Sequence, residues 1–298
     1  MSPRFAAAIC LLVTATSGAS AGAATLRVLF LGNSLTDGND VPGIVQALAA
    51  LHDVTLVADT SAPGGFALED HWNTGRAALV RDGRYDLVVL QQGPSTLPES
   101  QANLRQWTQT WTTYARSQAT EAALFMVWPF VNQTDGFELV SLSYRNAATA
   151  AGIEVFPAGE AWSEALSSRP RPALYSDDLH ATPEGSLLAA MVIGRRLFAL
   201  DPARVPTLLS TRSGPLRVST ETLNLFRSIV AAMTPTQFDP TLRPAPPPVA
   251  NTAALPAPTG NIPGGSSGTN RGGGGSPAVA ATLALALLLL SRRHLARR

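Results

Sequence analysis

The chain alternates short apolar runs with longer stretches whose apolar residues recur every three or four positions. Strand-like runs rich in Val, Leu, Ile and Phe stand at residues 26–31, 54–58, 87–90, 122–128 and 153–156. Helical sequence occupies 42–51, 67–81, 100–118, 138–151 and 182–200, and a last helix is expected over 216–233. Such alternation predicts an α/β domain with a mostly parallel five-stranded sheet, right-handed crossovers and helices on both faces. Ligands of such sheets bind beyond the carboxyl ends of the strands. Residues that follow strand ends are therefore the ones to inspect for chemistry.

The first strand runs into Gly32-Asn33-Ser34-Leu35, and helical sequence resumes near Val41. A serine on a tight strand-to-helix turn exposes its hydroxyl and sets its own N–H near a helix N-terminus. One residue then supplies both a nucleophile and an oxyanion donor. The competing reading makes Ser34 a turn or N-cap residue. A serine nucleophile needs a base, usually histidine, and that histidine needs a carboxylate to fix its tautomer. The chain has four histidines. His294 lies in a basic tail, and His52 ends a helical stretch, where its cation would suit the helix dipole. His71 follows Glu69 and Asp70 and competes for the role. His180 has Asp177 three residues before it, just ahead of the helix at 182–200. The alternative is that Asp177 or Asp178 caps that helix and His180 is a surface residue.

Together these segments resemble the SGNH, or GDSL-type, serine hydrolases. Gly32-Asn33-Ser34-Leu35 stands where that family has Gly-Asp-Ser-Leu, and Asp177-Asp178-Leu179-His180 matches its Asp-x-x-His block. The resemblance covers residues 25–200. It implies a flavodoxin-like three-layer sandwich, with Ser34 as nucleophile, His180 as general base and Asp177 as orienting acid. It also implies an oxyanion hole of Ser34 N–H, a glycine N–H after the second strand and a side-chain amide after the third. Ser61-Ala62-Pro63-Gly64-Gly65-Phe66 offers Gly65 first and Gly64 second. The third block departs from the family's Gly-x-Asn-Asp: strand 87–90 leads into Gln91-Gln92-Gly93-Pro94-Ser95. A glutamine amide donates the same bond, so Gln92 is the candidate donor and Gln91 its alternative. A Gln-Gly pair is similar to the variant of some carbohydrate-esterase branches. The implied activity is hydrolysis of carboxylic esters through an acyl-serine, with acetyl groups on polysaccharide favoured over long-chain lipid. Acyl transfer to a sugar, or a non-catalytic glycan-binding module, are the other readings. No metal or organic cofactor is expected.

Trp107, Trp111 and Tyr114 share helical spacing with Leu104 and read as helix-to-sheet packing. Trp72 and Trp128, with Phe130, Val131 and Asn132 after the fourth strand, are expected to line the pocket. Asp37-Gly38-Asn39-Asp40 is too short for a calcium loop and reads as a turn and N-cap before a helix. No Cys/His cluster suggests zinc, and there is no P-loop or Rossmann fingerprint. A formal net charge of +1 gives no basic stripe for nucleic acid.

The 298 residues are 45% hydrophobic and 14% charged, enough apolar sequence for one large core. Residues 1–23 carry Arg4, an apolar stretch and small residues at their end, the pattern of a secretory signal peptide. Cys10, the single cysteine, falls within that stretch, so no disulfide is expected. Residues 24–240 form the expected hydrolase domain. Residues 241–276 are a Pro-, Gly- and Ser-rich linker. Residues 277–298 hold an apolar run and an arginine cluster, and the tail resembles GlyGly-type C-terminal sorting signals. That resemblance implies cleavage by a sorting protease. The alternative is retention as a membrane anchor. Either way the domain is expected outside the cytoplasm, acting on a small-molecule or polysaccharide ester.

Overall fold

The computed structural model describes residues 25–133 and 135–239. The signal-peptide, linker and C-terminal-tail expectations lie outside the described residues. Five parallel strands, β1 (Leu26–Leu31), β2 (Leu56–Ser61), β3 (Leu87–Leu90), β4 (Glu121–Phe125) and β5 (Glu154–Phe156), form one sheet in the order β2-β1-β3-β4-β5. In register, Leu31 faces Ser61 on one side and Leu90 on the other, so three strands end at one level. β1 lies inside the sheet, and Val28, Leu29, Phe30 and Leu31 are all buried, as a strand covered on both faces requires.

The α-helices are α1 (Ser34–Asp37), α2 (Val41–Ala50), α3 (Leu68–Asn73), α4 (Ala77–Gly83), α5 (Pro98–Ser117), α6 (Gly136–Ala151), α7 (Ala158–Ser167), α8 (Pro183–Leu197), α9 (Thr220–Ala232) and α10 (Pro235–Phe238). α2 packs on α8, which also meets α7 and α9, while α5 packs on α3 and α6. The result is the α/β sandwich that the alternating pattern predicts. Among the described residues no helix is long and apolar enough to cross a membrane.

The differences from expectation are local. The stretch expected as one helix over 67–81 is two helices, because Gly75 takes a left-handed φ of 78° between them. The second strand begins and ends later than 54–58, and the fourth stops at Phe125, so Met126, Val127 and Trp128 are buried coil. The start of the expected helix over 216–233 is instead strand. β6 (Leu208–Thr211) and β7 (Gly214–Arg217) form an antiparallel hairpin before α9. The helix α7, which the apolar pattern does not predict, follows β5 directly.

A glycine explains how α7 fits so closely. A Cβ at Gly159 would collide with the carbonyl oxygen of Val127, a backbone atom that cannot swing away. Gly159 N–H in turn donates to Met126 O at 3.2 Å. Gly159→Ala should therefore cost about 1–3 kcal/mol of stability, the usual penalty of overpacking, measured as a lower urea midpoint with an unchanged slope.

Candidate active site

The interior strand β1 ends at Leu31, and the chain turns sharply through Gly32 and Asn33 into α1. A side chain at Gly32 would strike Thr36 Oγ1 and Gln91 Oε1, so only glycine lets the turn close on its neighbours. Asn33 caps α1, its Oδ1 accepting from Leu35 N–H at 3.1 Å. Its Nδ2 donates to Phe66 O at 2.9 Å, a bond that an ionised aspartate could not make. Ser34 is thus the first residue of α1, half-buried, with an N–H that has no partner within the helix.

Ser34 Oγ lies 2.9 Å from His180 Nε2, and His180 Nδ1 lies 2.8 Å from Asp177 Oδ2. The three candidates separated by up to 146 residues are in one hydrogen-bonded line. Asp177 uses its other oxygen to accept from the N–H groups of Leu179 at 2.7 Å and His180 at 2.6 Å. Partial burial pushes its carboxyl up. The two N–H bonds and the imidazole outweigh that, and hold it below the ordinary carboxylate value. Asp177 therefore stays ionised and orients His180. Asp178 does not take this place: its backbone carbonyl receives Val131 N–H at 2.9 Å.

The loop carrying His180 is fastened on several sides. Trp128 Nε1 donates to Leu179 O at 2.8 Å, and Tyr175 Oη donates to Pro129 O at 2.9 Å. Ser176 N–H returns to His180 O at 2.8 Å. Trp128 itself is fully buried and stacked on Trp162, with ring centroids 3.7 Å apart and planes 2° from parallel. Trp128 is thus a support behind the histidine loop and not a pocket wall. Trp72 also leaves the pocket: it packs edge-on against Trp111 and Tyr114 of α5 and tilts over Trp107. Trp72 lies within α3, which packs against α5. Phe130, Val131 and Asn132 are exposed after β4, and Val131 is tied to the histidine loop through Asp178.

The oxyanion candidates flank Ser34 as the strand order dictates. Pro63, Gly64, Gly65 and Phe66 form a turn closed by Phe66 N–H to Pro63 O at 3.2 Å, and Gly65 has φ of 77°. That geometry needs glycine at its third position and leaves the N–H groups of Gly64 and Gly65 outside the turn bond. On the other side, Gln91 and Gln92 divide their work. Gln91 is fully buried. Its Oε1 accepts from Asn33 N–H at 2.9 Å and Thr36 Oγ1 at 2.7 Å. Its Nε2 donates to Asn33 Oδ1 at 3.0 Å and Gln92 O at 2.6 Å. Both amide hydrogens of Gln91 are engaged, which removes it as an oxyanion donor. Gln92 is also buried. Its Oε1 accepts from Leu68 N–H at 3.3 Å and its Nε2 donates to Ser95 Oγ at 3.0 Å. One amide hydrogen of Gln92 therefore remains free of that bond.

His71 does not compete with His180. It is fully buried, and its Nε2 donates to Gly32 O at 2.7 Å, inside the turn that presents Ser34. Its Nδ1 has no partner. His52 lies apart from Ser34, at the C-terminal end of α2. Its Nδ1 donates to Leu48 O at 2.9 Å while its Nε2 accepts from Asp201 N–H at 2.9 Å. Three residues have roles that no local spacing indicates: Gln91 is a hub and His71 a prop, in place of the donor and base roles weighed for them, and Tyr144 Oη donates to Gln92 O at 2.5 Å. Their partners lie across strand ends, where no local spacing points to them.

No protein-family model matches the chain, and no curated protein matches it by sequence. Solved structures do match. A DUF4886 family protein from Bacteroides uniformis is similar with a TM-score of 0.58 and 17% identity, over 70% of this chain and 93% of that one. A candidate SGNH hydrolase from Slackia heliotrinireducens is similar with a TM-score of 0.50 and 23% identity, over 58% of this chain and 98% of that one. An acetyl xylan esterase is similar with a TM-score of 0.50 and 16% identity, over 58% of this chain and all 100% of that one. The chain has the α/β fold that the SGNH hydrolase and the esterase share.

Burial, opposed by the bond to Gly32 O, holds the His71 imidazole below its ordinary value of 6.5; Arg76 lowers it further and Asp70 raises it. Below that value the unfolded chain binds a proton that the folded chain refuses. The contribution of His71 is therefore fully present above pH 6.5 and is lost as pH falls from there to the lowered folded value. Urea melts of the wild type and His71→Gln from about pH 7 to about pH 5 should show a steeper fall for the wild type. Parallel curves would show that His71 titrates freely.

Proposed function

We propose that this protein is a serine esterase that cleaves carboxylic esters through an acyl-Ser34 intermediate. The observation that carries the reading is the continuous line from Ser34 Oγ through His180 to Asp177, with bonds of 2.9 and 2.8 Å. Ser34 Oγ attacks the ester carbonyl carbon while His180 Nε2 takes its proton. Asp177 keeps the second ring proton on Nδ1 and stabilises the imidazolium. The carbonyl oxygen becomes an anion, for which Ser34 N–H, Gly65 N–H and the free amide hydrogen of Gln92 are the donors. Removal of one such donor typically costs about 10²–10³ in rate. Collapse breaks the bond to the alcohol, which leaves with the proton from His180. Water then attacks the acyl-serine with His180 as base and releases the acid.

Exposure supports a polymeric substrate. The His180 and Asp177 side chains are 44% and 53% exposed, so the catalytic line lies at an open surface and can meet an ester on a polymer. Acetyl groups on polysaccharide are the favoured substrate, and an acetyl xylan esterase is among the structures that share the fold. A lipid ester is the second reading, favoured by Leu97, Phe130 and Val131, which stand exposed in the loops after β3 and β4. Acyl transfer to a sugar would use the same line with another alcohol in place of water. A glycan-binding module would keep the fold without the chemistry. In the proposed setting the N-terminal leader exports the protein, and the C-terminal segment anchors it to a membrane or is cut by a sorting protease.

Hydrolysis of p-nitrophenyl acetate by the purified protein should fall at least about 10³-fold in Ser34→Ala. A fluorophosphonate should label the wild type and not the variant. Rates should decline as the acyl chain lengthens from acetate, whereas a steady rise would favour lipid. Failure to label would favour the binding module.

A further inference from the structure

The segment between α1 and α2 holds two consecutive non-glycine residues in the left-handed region, Asn39 at φ 57° and Asp40 at φ 55°. That conformation is costly for a side chain and persists only where the surroundings fix it. Both residues are fixed by distant parts of the chain. Asn39 Nδ2 donates to Ala181 O at 2.9 Å and to Ser186 Oγ at 3.0 Å. Ala181 follows His180 directly, and Ser186 lies in the first turn of α8. Asp40 caps α2 by accepting from Gly43 N–H at 3.0 Å. Its carboxylate also receives the fork of Arg212, Nε at 2.8 Å and Nη2 at 2.7 Å, and Ser213 Oγ at 2.6 Å. Arg212 Nη1 completes the clamp by donating to Ala58 O of β2 at 3.0 Å. Arg212 and Ser213 are the tip of the β6–β7 hairpin, after residues 25–200 over which the sequence resembles the SGNH hydrolases.

The nucleophile side of this segment is equally short. Gly38 N–H bonds Ser34 O, and Thr36 and Asp37 N–H groups bond Asn33 O at 2.9 and 3.0 Å. A bonded path of one helical turn thus runs from Ser34 to Asn39 and across to the residue after His180. We propose that Asn39 is a positioning residue that sets the Ser34–His180 distance, and that the hairpin tip acts through Asp40 as the clamp that holds Asn39 in place. The proposal rests on the esterase reading. Asn39 touches no reacting atom in it. Its effect is on alignment, and a misplacement of about 1 Å can cost about 10²-fold in rate.

Two substitutions at Asn39 keep the backbone preference and lose the donor. Glycine adopts the left-handed region freely, and aspartate tolerates it but presents a carboxylate to Ala181 O. In the full-length protein, Asn39→Gly and Asn39→Asp should lower kcat for p-nitrophenyl acetate at least about tenfold with KM within about twofold. The rate of fluorophosphonate labelling should fall in parallel. Arg212→Met should show the same split more weakly, and Arg212→Lys should restore part of it, because an ammonium meets one carboxylate oxygen where the fork meets two. A merely structural role would lower the melting temperature and leave kcat of the folded protein unchanged. Wild-type kcat and labelling in folded Asn39 variants would overturn the proposal and leave the esterase intact. Should the Asn39 variants not fold, an unchanged kcat in Arg212→Met, at a half-exposed side chain, overturns it equally. A wild type that neither hydrolyses nor labels overturns the esterase reading and this proposal with it.

Discussion

The buried carboxamide of Gln91 holds the rest of the site together. It has no contact with water, yet each of its polar atoms has two partners: Asn33 N–H and Thr36 Oγ1 on the oxygen, Asn33 Oδ1 and Gln92 O on the nitrogen. In a low-dielectric interior a fully bonded amide rigidifies its surroundings, and a half-bonded one is costly. Gln91 can come this close only because residue 32 has no side chain. The turn after β1 and the turn after β3 are therefore locked to each other through one side chain, and Asn33 extends the lock to Phe66 after β2. Ser34 owes its placement to this network more than to α1, which is a single turn.

The sheet order explains why the network exists. With β1 between β2 and β3, three loops emerge side by side, and the middle one carries the nucleophile. The base comes from much later in the chain and must be brought over β4. Here the packing is aromatic: Trp162 backs Trp128, and Trp128 holds Leu179 O, next to His180. Hydrophobic burial thus sets the position of one half of the pair, and a polar network sets the other. His71 belongs to the polar half. It holds Gly32 O from below while its own neutral state is enforced by burial.

The sequence was legible where structure repeats locally. The five strands and the long helices follow from apolar periodicity, with ends displaced by a few residues. The missed pieces share a cause. The helix over 67–81 breaks at Gly75 because a left-handed residue ends a helix regardless of the apolar pattern around it. The β6–β7 hairpin holds Pro215 and few apolar residues, and its value lies in a tip that grips Asp40. The aromatic positions misled in the opposite direction. Trp72 and Trp128 stand near strand ends and so invited a pocket role, but large apolar side chains bury wherever a neighbouring layer offers area.

The sequence alone determined the α/β alternation, the number and chain order of the five strands, and a serine, an aspartate and a histidine in an order and spacing that resemble those of a hydrolase. Those features depend on residue type and on neighbours within a turn or two, so a linear pattern can carry them. Tertiary structure decided which of two adjacent glutamines is a scaffold and which keeps a free amide hydrogen. It decided that His71 props a turn while His180 faces Ser34, and it gave Arg212 a place beside Asp40. The choices at His71, His180 and Arg212 reach partners across separations of 39 to 172 residues, and Gln92 reaches back 24 residues to Leu68. Such choices are set by which strands lie side by side and which groups burial deprives of water, and neither is written in the local sequence.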